Sequence, residues 1–247
     1  KVRERLEELL VLIRDKITHP KGYLQLFFER DWTPVSFRYA SPEIRDANYR
    51  LDHVSFGHDY ETAFLMLEAS YKLGLKNDTA TLYTAKKMLD HAIENGWDNS
   101  SAGFFDEGYY YSEEGECKII KHTKNWWAQA EALNALLLFS KIFPNEKRYY
   151  KLFLQEWDYI KKYLIDHEHG DWYWGSLEKE PHYKTAPKGT IWKATYHNGR
   201  ALMNSILMLS DEDSELFQSN EKFRELKSEF DDFIDHWQKT AVQAVEK

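Results

Sequence analysis

The 247-residue chain has a single cysteine, Cys117, which excludes an internal disulfide and fits a reducing compartment. No apolar run approaches the ~20 residues that cross a bilayer. The opening "KVRERLEELL" is a charged amphipathic helix, not a signal peptide. A cytoplasmic protein with no membrane partner is the expectation. Clustered Lys and Arg are also missing, and the net charge of −8 with a pI near 5.7 argues against nucleic acid as a partner. There is no Gly-rich phosphate loop and no Gly-x-Ser-x-Gly elbow, and Cys117 has no His at a known motif spacing. In "DHEHGDW", His167, His169 and Asp171 alternate, but their spacing matches no zinc signature. That segment reads as a solvated helix end, where His complements the dipole. Neither a metal nor a cofactor is expected.

Aromatic residues are abundant at 16%, enough to line a pocket for a ring-shaped ligand as well as to fill a core. Helical periodicity dominates the rest. Residues 2–17 place Leu6, Leu9, Leu10 and Ile13 on one face, and a second helix runs from about Gly57 to Leu73. A third follows, with Asp78 as N-cap and Gly96 as its stop. "KNWWAQAEALNALLLFSKIF" ends before Pro144, and "NEKRYYKLFLQEWDYIKKYLID" ends before Gly170. "TYHNGRALMNSILMLS" and "SNEKFRELKSEFDDFIDHWQ" complete about seven helices. The connecting segments "GYLQLFFERDWTPVSF", "GFFDEGYYYSEEGECKII" and "GDWYWGSLEKEPHY" are aromatic and turn-rich, and each has room for a short hairpin. No domain boundary is visible, so residues 1–247 read as a single all-α domain of helices stacked in pairs.

Three helix beginnings carry chemistry. In "SFGHDYETAFLMLEAS", His58 and Glu61 are three apart and share a face, while Asp59 points about 100° away. Glu61 is placed to accept from one ring nitrogen and leave the other free. The carboxylate favours imidazolium and the helix N-terminus disfavours it, a balance suited to a base near neutral pH. Taken alone, the segment is more simply a helix cap or a satisfied core polar group. "KATYHNGRALMNSI" repeats the pattern with His197, and Arg200 three residues on is positioned for a carboxylate or an oxyanion. In "KNWWAQAEALNALL", Trp127 and Glu131 are four apart on one face, and Trp126 and Gln129 lie on another. An indole over a carboxylate can hold a sugar, CH groups stacking on the ring and hydroxyls bonding the acid; a Trp-rich core helix is the simpler alternative. Trp172, Trp174 and Trp192 add to the aromatic set.

"SFGHDYE", "NWWAQAEAL", "DWYWGSL" and "WKATYHNGRAL", in that order and spacing, resemble the N-acylglucosamine 2-epimerase superfamily, most of all its cellobiose 2-epimerase branch. "HPKGYLQLFFERDWTPVSF" also fits, so the likeness covers nearly the whole chain. It implies an (α/α)6-type toroid of inner and outer helices around a central pocket. It also implies inversion at C2 of a reducing-end aldose through a cis-enediolate, with no cofactor. By the motifs, His58 and His197 match the acid/base pair, and Glu61 matches a carboxylate near the first His. Trp127, Glu131 and Trp192 match sugar contacts, and Trp126, Phe64 and Arg200 are added to that set. Phe64 stands where the branch often carries Trp, which bears on which sugar stacks there. The match starts partway through the family fold, so the toroid is expected to be partial, without its N-terminal portion. The missing portion carries, in relatives, an Arg near the substrate oxygens and a further His linked to ring opening. A second copy of the chain, or the missing segment, is expected to close the open side. The competing readings are an aldose–ketose isomerase of the same superfamily and a non-catalytic carbohydrate-binding module. A glycoside hydrolase is disfavoured because it needs two carboxylates across a cleft, whereas the recurring groups here are His.

Overall fold

The computed structural model describes residues 1–245, and among these there are nine α-helices and one three-stranded sheet. The helices are α1 (Val2–Leu12), α2 (Pro42–Asn48), α3 (Phe56–Lys72), α4 (Thr79–Gly96), α5 (Trp126–Ile142), α6 (Lys147–Tyr163), α7 (Tyr196–Leu209), α8 (Glu215–Ser219) and α9 (Glu221–Val245). The strands are β1 (Val54–Ser55), β2 (Glu107–Tyr110) and β3 (Cys117–Lys121), all antiparallel in the order β1-β2-β3. Seven of the helices are those the periodicity predicts. The other two, α2 and α8, have seven and five residues, too few for a 3.6-residue repeat to show. The first helix departs in detail: it is α-helical to Leu12 and then loosens into a π-turn over Ile13–Ile17.

Local chemistry sets the boundaries. Asp78 caps α4 by accepting from the Thr81 amide at 3.1 Å, and its second oxygen accepts from Ser70 Oγ of α3 at 2.7 Å. One aspartate therefore starts a helix and ties it to its neighbour. α5 is apolar around nearly its whole circumference, as a helix enclosed on all sides must be. It packs against α3, α6 and α7. α6 is one-sided: Tyr149, Phe153, Glu156, Tyr159 and Ile160 face inward.

α3, α5 and α7 run side by side in register. Trp127 at the start of α5 touches His58 at the start of α3 and His197 at the start of α7. Halfway along, Asn204 Nδ2 of α7 donates to Asn134 Oδ1 of α5 at 3.1 Å. α4 and α6 return on the outside, each against the inner helix before it. Inner helices in parallel with outer helices returning make an arc of an α/α toroid. The hydrophobic core is continuous from Leu10 to Ala241. α9 crosses the far, C-terminal ends of the inner helices. Phe233 meets Tyr71 near the end of α3 (5.3 Å between rings), and Gln238 donates to the Lys141 carbonyl at the end of α5 (2.7 Å). The outer flank of α7 is bare, with Met203 and Ile206 exposed.

Of the three aromatic segments, only the second forms a hairpin, β2–β3. The first and third have isolated bridges instead, such as Thr18↔Leu24 and Ile165↔Trp172. Their backbone is held from outside: the Leu24 amide donates to Asp59 Oδ1 of α3 at 2.8 Å. No helix among the described residues is long and apolar enough to cross a membrane.

Candidate functional site

The N-terminal ends of α3, α5 and α7 meet at one place, and each delivers an aromatic nitrogen ring to it. The Trp127 indole is 4.7 Å from the His58 ring and 5.6 Å from the His197 ring, centroid to centroid. Gly57 permits this, because a Cβ there would fall 2.5 Å from Cη2 of Trp127.

His58 is solvent-exposed, and its ring is partly buried against the Trp127 indole and Ser55. That burial, with smaller contributions from the charges of His53 and His197, moves its pKa below the usual histidine value and favours the neutral ring. Its Nδ1 lies 2.6 Å from Ser55 Oγ. A hydroxyl can donate or accept, so it serves His58 in either protonation state. The sequence reading gave Glu61 this part, and the structure corrects it. Glu61 sits one turn further along α3, where its carboxylate turns across to α7.

His197 has acidic company. Glu131 Oε1 accepts from its Nδ1 at 2.7 Å, and Glu61 Oε1 is 3.7 Å from the same nitrogen. Nε2 is left for other chemistry. Arg200 Nη2 donates to Glu131 Oε1 at 2.6 Å and to Glu61 Oε1 at 3.1 Å. Arg200 Nη1 donates to Tyr196 Oη at 2.6 Å, and the guanidinium lies 5.5 Å from the Phe64 ring. Burial and then the neighbouring Glu131 raise the Glu61 pKa, while His197 and Arg200 pull the other way. Burial works against charge on Arg200, yet Glu131, Tyr196 and Glu61 together raise its pKa. Glu61, Glu131 and His197 bring ligand atoms within 4.8 Å of one another, the spacing of a three-ligand metal site. The cation serving the two carboxylates is the guanidinium of Arg200.

His58, His197, Glu61, Trp127, Glu131, Phe64 and Arg200 therefore converge, and the remaining sequence candidates do not. Trp126 is 3% exposed with its ring 4.2 Å from that of Trp174, because one residue along a helix turns the side chain about 100° into the core. Trp172 is likewise buried. Trp192 is 77% exposed on an irregular segment that is anchored through its neighbour Lys193 to Asp171, with the indole itself left in solvent. His167, His169 and Asp171 are separated by their partners. His167 bonds the Lys161 carbonyl, His169 lies beside Asp166, and Asp171 binds Lys193 and Asn198. The sequence reading missed Ser55, although its position three residues before His58 was a usable signal.

The described helices form an arc of an α/α toroid with two histidines at the mouth of its inner helices. The sequence model of the N-acylglucosamine 2-epimerase family matches residues 2–201, and the chain belongs to that family. It is 31% identical over 218 residues to a cellobiose 2-epimerase of Ruminococcus albus, covering 83% of this chain and 47% of the relative. The cellobiose 2-epimerase of Dictyoglomus turgidum is 27% identical over 214 residues, covering 83% and 47%. A solved sugar epimerase from a ruminal bacterium superposes with a TM-score of 0.65 at 25% identity, covering 85% of this chain and 48% of its own. The chain thus spans about half the length of the curated relatives it matches.

Proposed function

We propose that the chain carries the acid/base half of a sugar 2-epimerase, which inverts C2 of a reducing-end aldose through a cis-enediolate. The observation that carries this reading is the placement of His58 and His197 against one indole, Trp127, from separate helices. A proton α to an aldehyde is weakly acidic, so its removal needs a neutral base. His58 is the base: its pKa is held down and its partner Ser55 is uncharged. It takes the C2 proton of the open-chain sugar and the electron pair moves to C1–O1 as the enediolate. His197, with Nδ1 committed to Glu131, returns a proton to C2 from its Nε2. In the reverse direction the two exchange roles. Trp127 offers the apolar face for the sugar, and Arg200 keeps Glu61 and Glu131 in place beside His197.

The test is incubation with cellobiose, mannose and N-acetylglucosamine in deuterated water. Deuterium at C2 with inverted product supports the epimerase, and His58→Ala and His197→Ala each lower exchange by at least ~100-fold. Deuterium at C1 with ketose formed identifies an aldose–ketose isomerase instead. Binding without exchange identifies a carbohydrate-binding module. Retention of exchange in both variants overturns the residue assignment.

A further inference from the structure

Ser55 holds the N-cap position of α3, yet its side chain caps no helix amide. The N-cap side chains of α4 and α8, Asp78 and Ser214, each accept from the amide three residues on. Ser55 is 6% exposed and turns its hydroxyl to the His58 ring instead, 2.6 Å from Nδ1. A stabilising capping bond is given up for contact with one imidazole nitrogen. With Nδ1 against Ser55, Nε2 is the nitrogen left for a substrate. The direction of the one hydroxyl proton then decides what Nε2 can do. If Ser55 donates to Nδ1, the neutral ring carries its own proton on Nε2 and has no lone pair there. If Ser55 accepts from Nδ1–H, the lone pair is on Nε2, and the hydroxyl proton needs a second acceptor in the interior.

The sheet supplies that acceptor. Ser55 of β1 stands directly opposite Glu107 of β2, so the two side chains leave the same face. Cβ atoms opposed in this way are ~5 Å apart. The register with β3 shifts between Glu107 and Gly108, an irregularity of the kind that re-aims a side chain. Glu107 Oε1 accepts from Lys121 Nζ at 3.3 Å, whereas Oε2 is buried and has no hydrogen-bond partner among the described residues. The carboxylate also faces His53: burial lowers the pKa of that ring, and Glu107 is the leading charge that opposes it. We propose that Glu107 and Ser55 are positioning residues that fix the tautomer of His58. Glu107 Oε2 takes the Ser55 hydroxyl proton, directly or across one water, Ser55 Oγ accepts from His58 Nδ1–H, and Nε2 keeps the lone pair. The proposal deepens the epimerase reading and rests on it for the role of His58 as base.

The experiment reads the tautomer directly, by ¹⁵N NMR of the full chain labelled in histidine, at alkaline pH where the His58 ring is neutral. The wild type is expected to carry the proton on Nδ1, the opposite of the form that free imidazole side chains prefer in water. Ser55→Ala releases the ring to that preferred form and should lower the rate of deuterium exchange at C2 about fivefold, the effect of one hydrogen bond. Glu107→Met leaves the Ser55 hydroxyl no acceptor but Nδ1, holds the wrong tautomer in place, and should lower kcat about 25-fold with KM unchanged. Combining the two substitutions should bring the loss back to about fivefold, because the misdirected hydroxyl is gone. A merely structural role would make the double variant slower than either single one. The proposal is overturned if the wild-type proton is on Nε2, if the Nδ1–H form survives Glu107→Met, or if the double variant is the slowest. The expected tautomers in wild type and variants, with no exchange on any sugar, support the positioning and remove the catalytic reading, so the two fail separately.

Discussion

The backbone of Gly57 lies directly against the indole of Trp127, leaving no room for a methyl group between α3 and α5. A Cβ would come within 2.5 Å of Cη2, 2.7 Å of Cζ3 and 3.0 Å of the Ala128 Cβ. Gly57→Ala must therefore push the indole away from the two histidines. The overlap costs about 1–3 kcal/mol, which outweighs the ~1 kcal/mol that alanine gains in a helix. Gly199→Ala on α7 is the control: its nearest neighbour is Thr195 Cβ at 3.7 Å, so only the helix gain remains. Urea denaturation should show Gly57→Ala destabilised and Gly199→Ala stabilised. Equal behaviour would remove the close-packing argument.

The neutral form of His58 sets an acid limb for proton exchange. Burial first, then the charges of His53 and His197, place its pKa below the ordinary 6.5. A base acts when deprotonated, so the midpoint of the acid limb should lie below pH 6.5. His53→Gln removes the second of these causes and should move the limb to higher pH. A pH–rate profile of deuterium incorporation measures both, and a limb that moves to lower pH contradicts the proposed role of His53.

Arg200 is the cation between two carboxylates, one of them fully buried. Arg200→Gln leaves Glu61 and Glu131 facing each other without it and should cost about 3 kcal/mol, the low end because Glu61 and Arg200 keep some exposure. The loss should shrink at acid pH, where Glu61, whose pKa is already raised, takes up a proton. Adding Glu131→Gln should recover part of it. Urea midpoints of the single and double variants at two pH values decide the matter.

Glu156 on α6 is fully buried, and neither oxygen has a hydrogen-bond partner among the described residues. Burial pushes its carboxyl up to about 8, with the charge of Lys124 only partly offsetting. An acid whose folded pKa exceeds the unfolded 4.5 stabilises the fold fully below 4.5, and that contribution is lost as pH rises through 8. Glu156→Gln cannot ionise. The stability of the wild type relative to this variant should therefore fall between pH 5 and pH 8, by at most ~1.4 kcal/mol per pH unit. Chemical denaturation across that range checks it, and a constant difference would show that Glu156 is not the titrating group.

Helix placement was readable from the chain because a 3.6-residue repeat is local information. So were the cap at Asp78, the end of α4 at Gly96, and the location of His58, Trp127 and His197 at helix beginnings. Two of the three expected hairpins are reduced to isolated antiparallel bridges: the first segment closes on itself only at Phe28↔Pro34, and the third pairs with Asn125, at Gly175, ahead of α5. Short helices such as α2 are too brief for that repeat to register, and the Ser41–Pro42 start of α2 was a signal left unused.

Periodicity says which residues share a face of one helix, and it therefore grouped Glu61 with His58. It carries no information on what the next helix presents to that face. The fold decided that Glu61 serves Arg200, 139 residues away, and that Glu131 serves His197, 66 residues away. It likewise sent Trp126 into the core and left Trp192 in solvent, choices set by how three helices pack. The sequence determined the helices and the residue types at their mouths; tertiary packing alone chose the partners, because charge pairing and burial depend on distances between segments that the chain does not place next to one another.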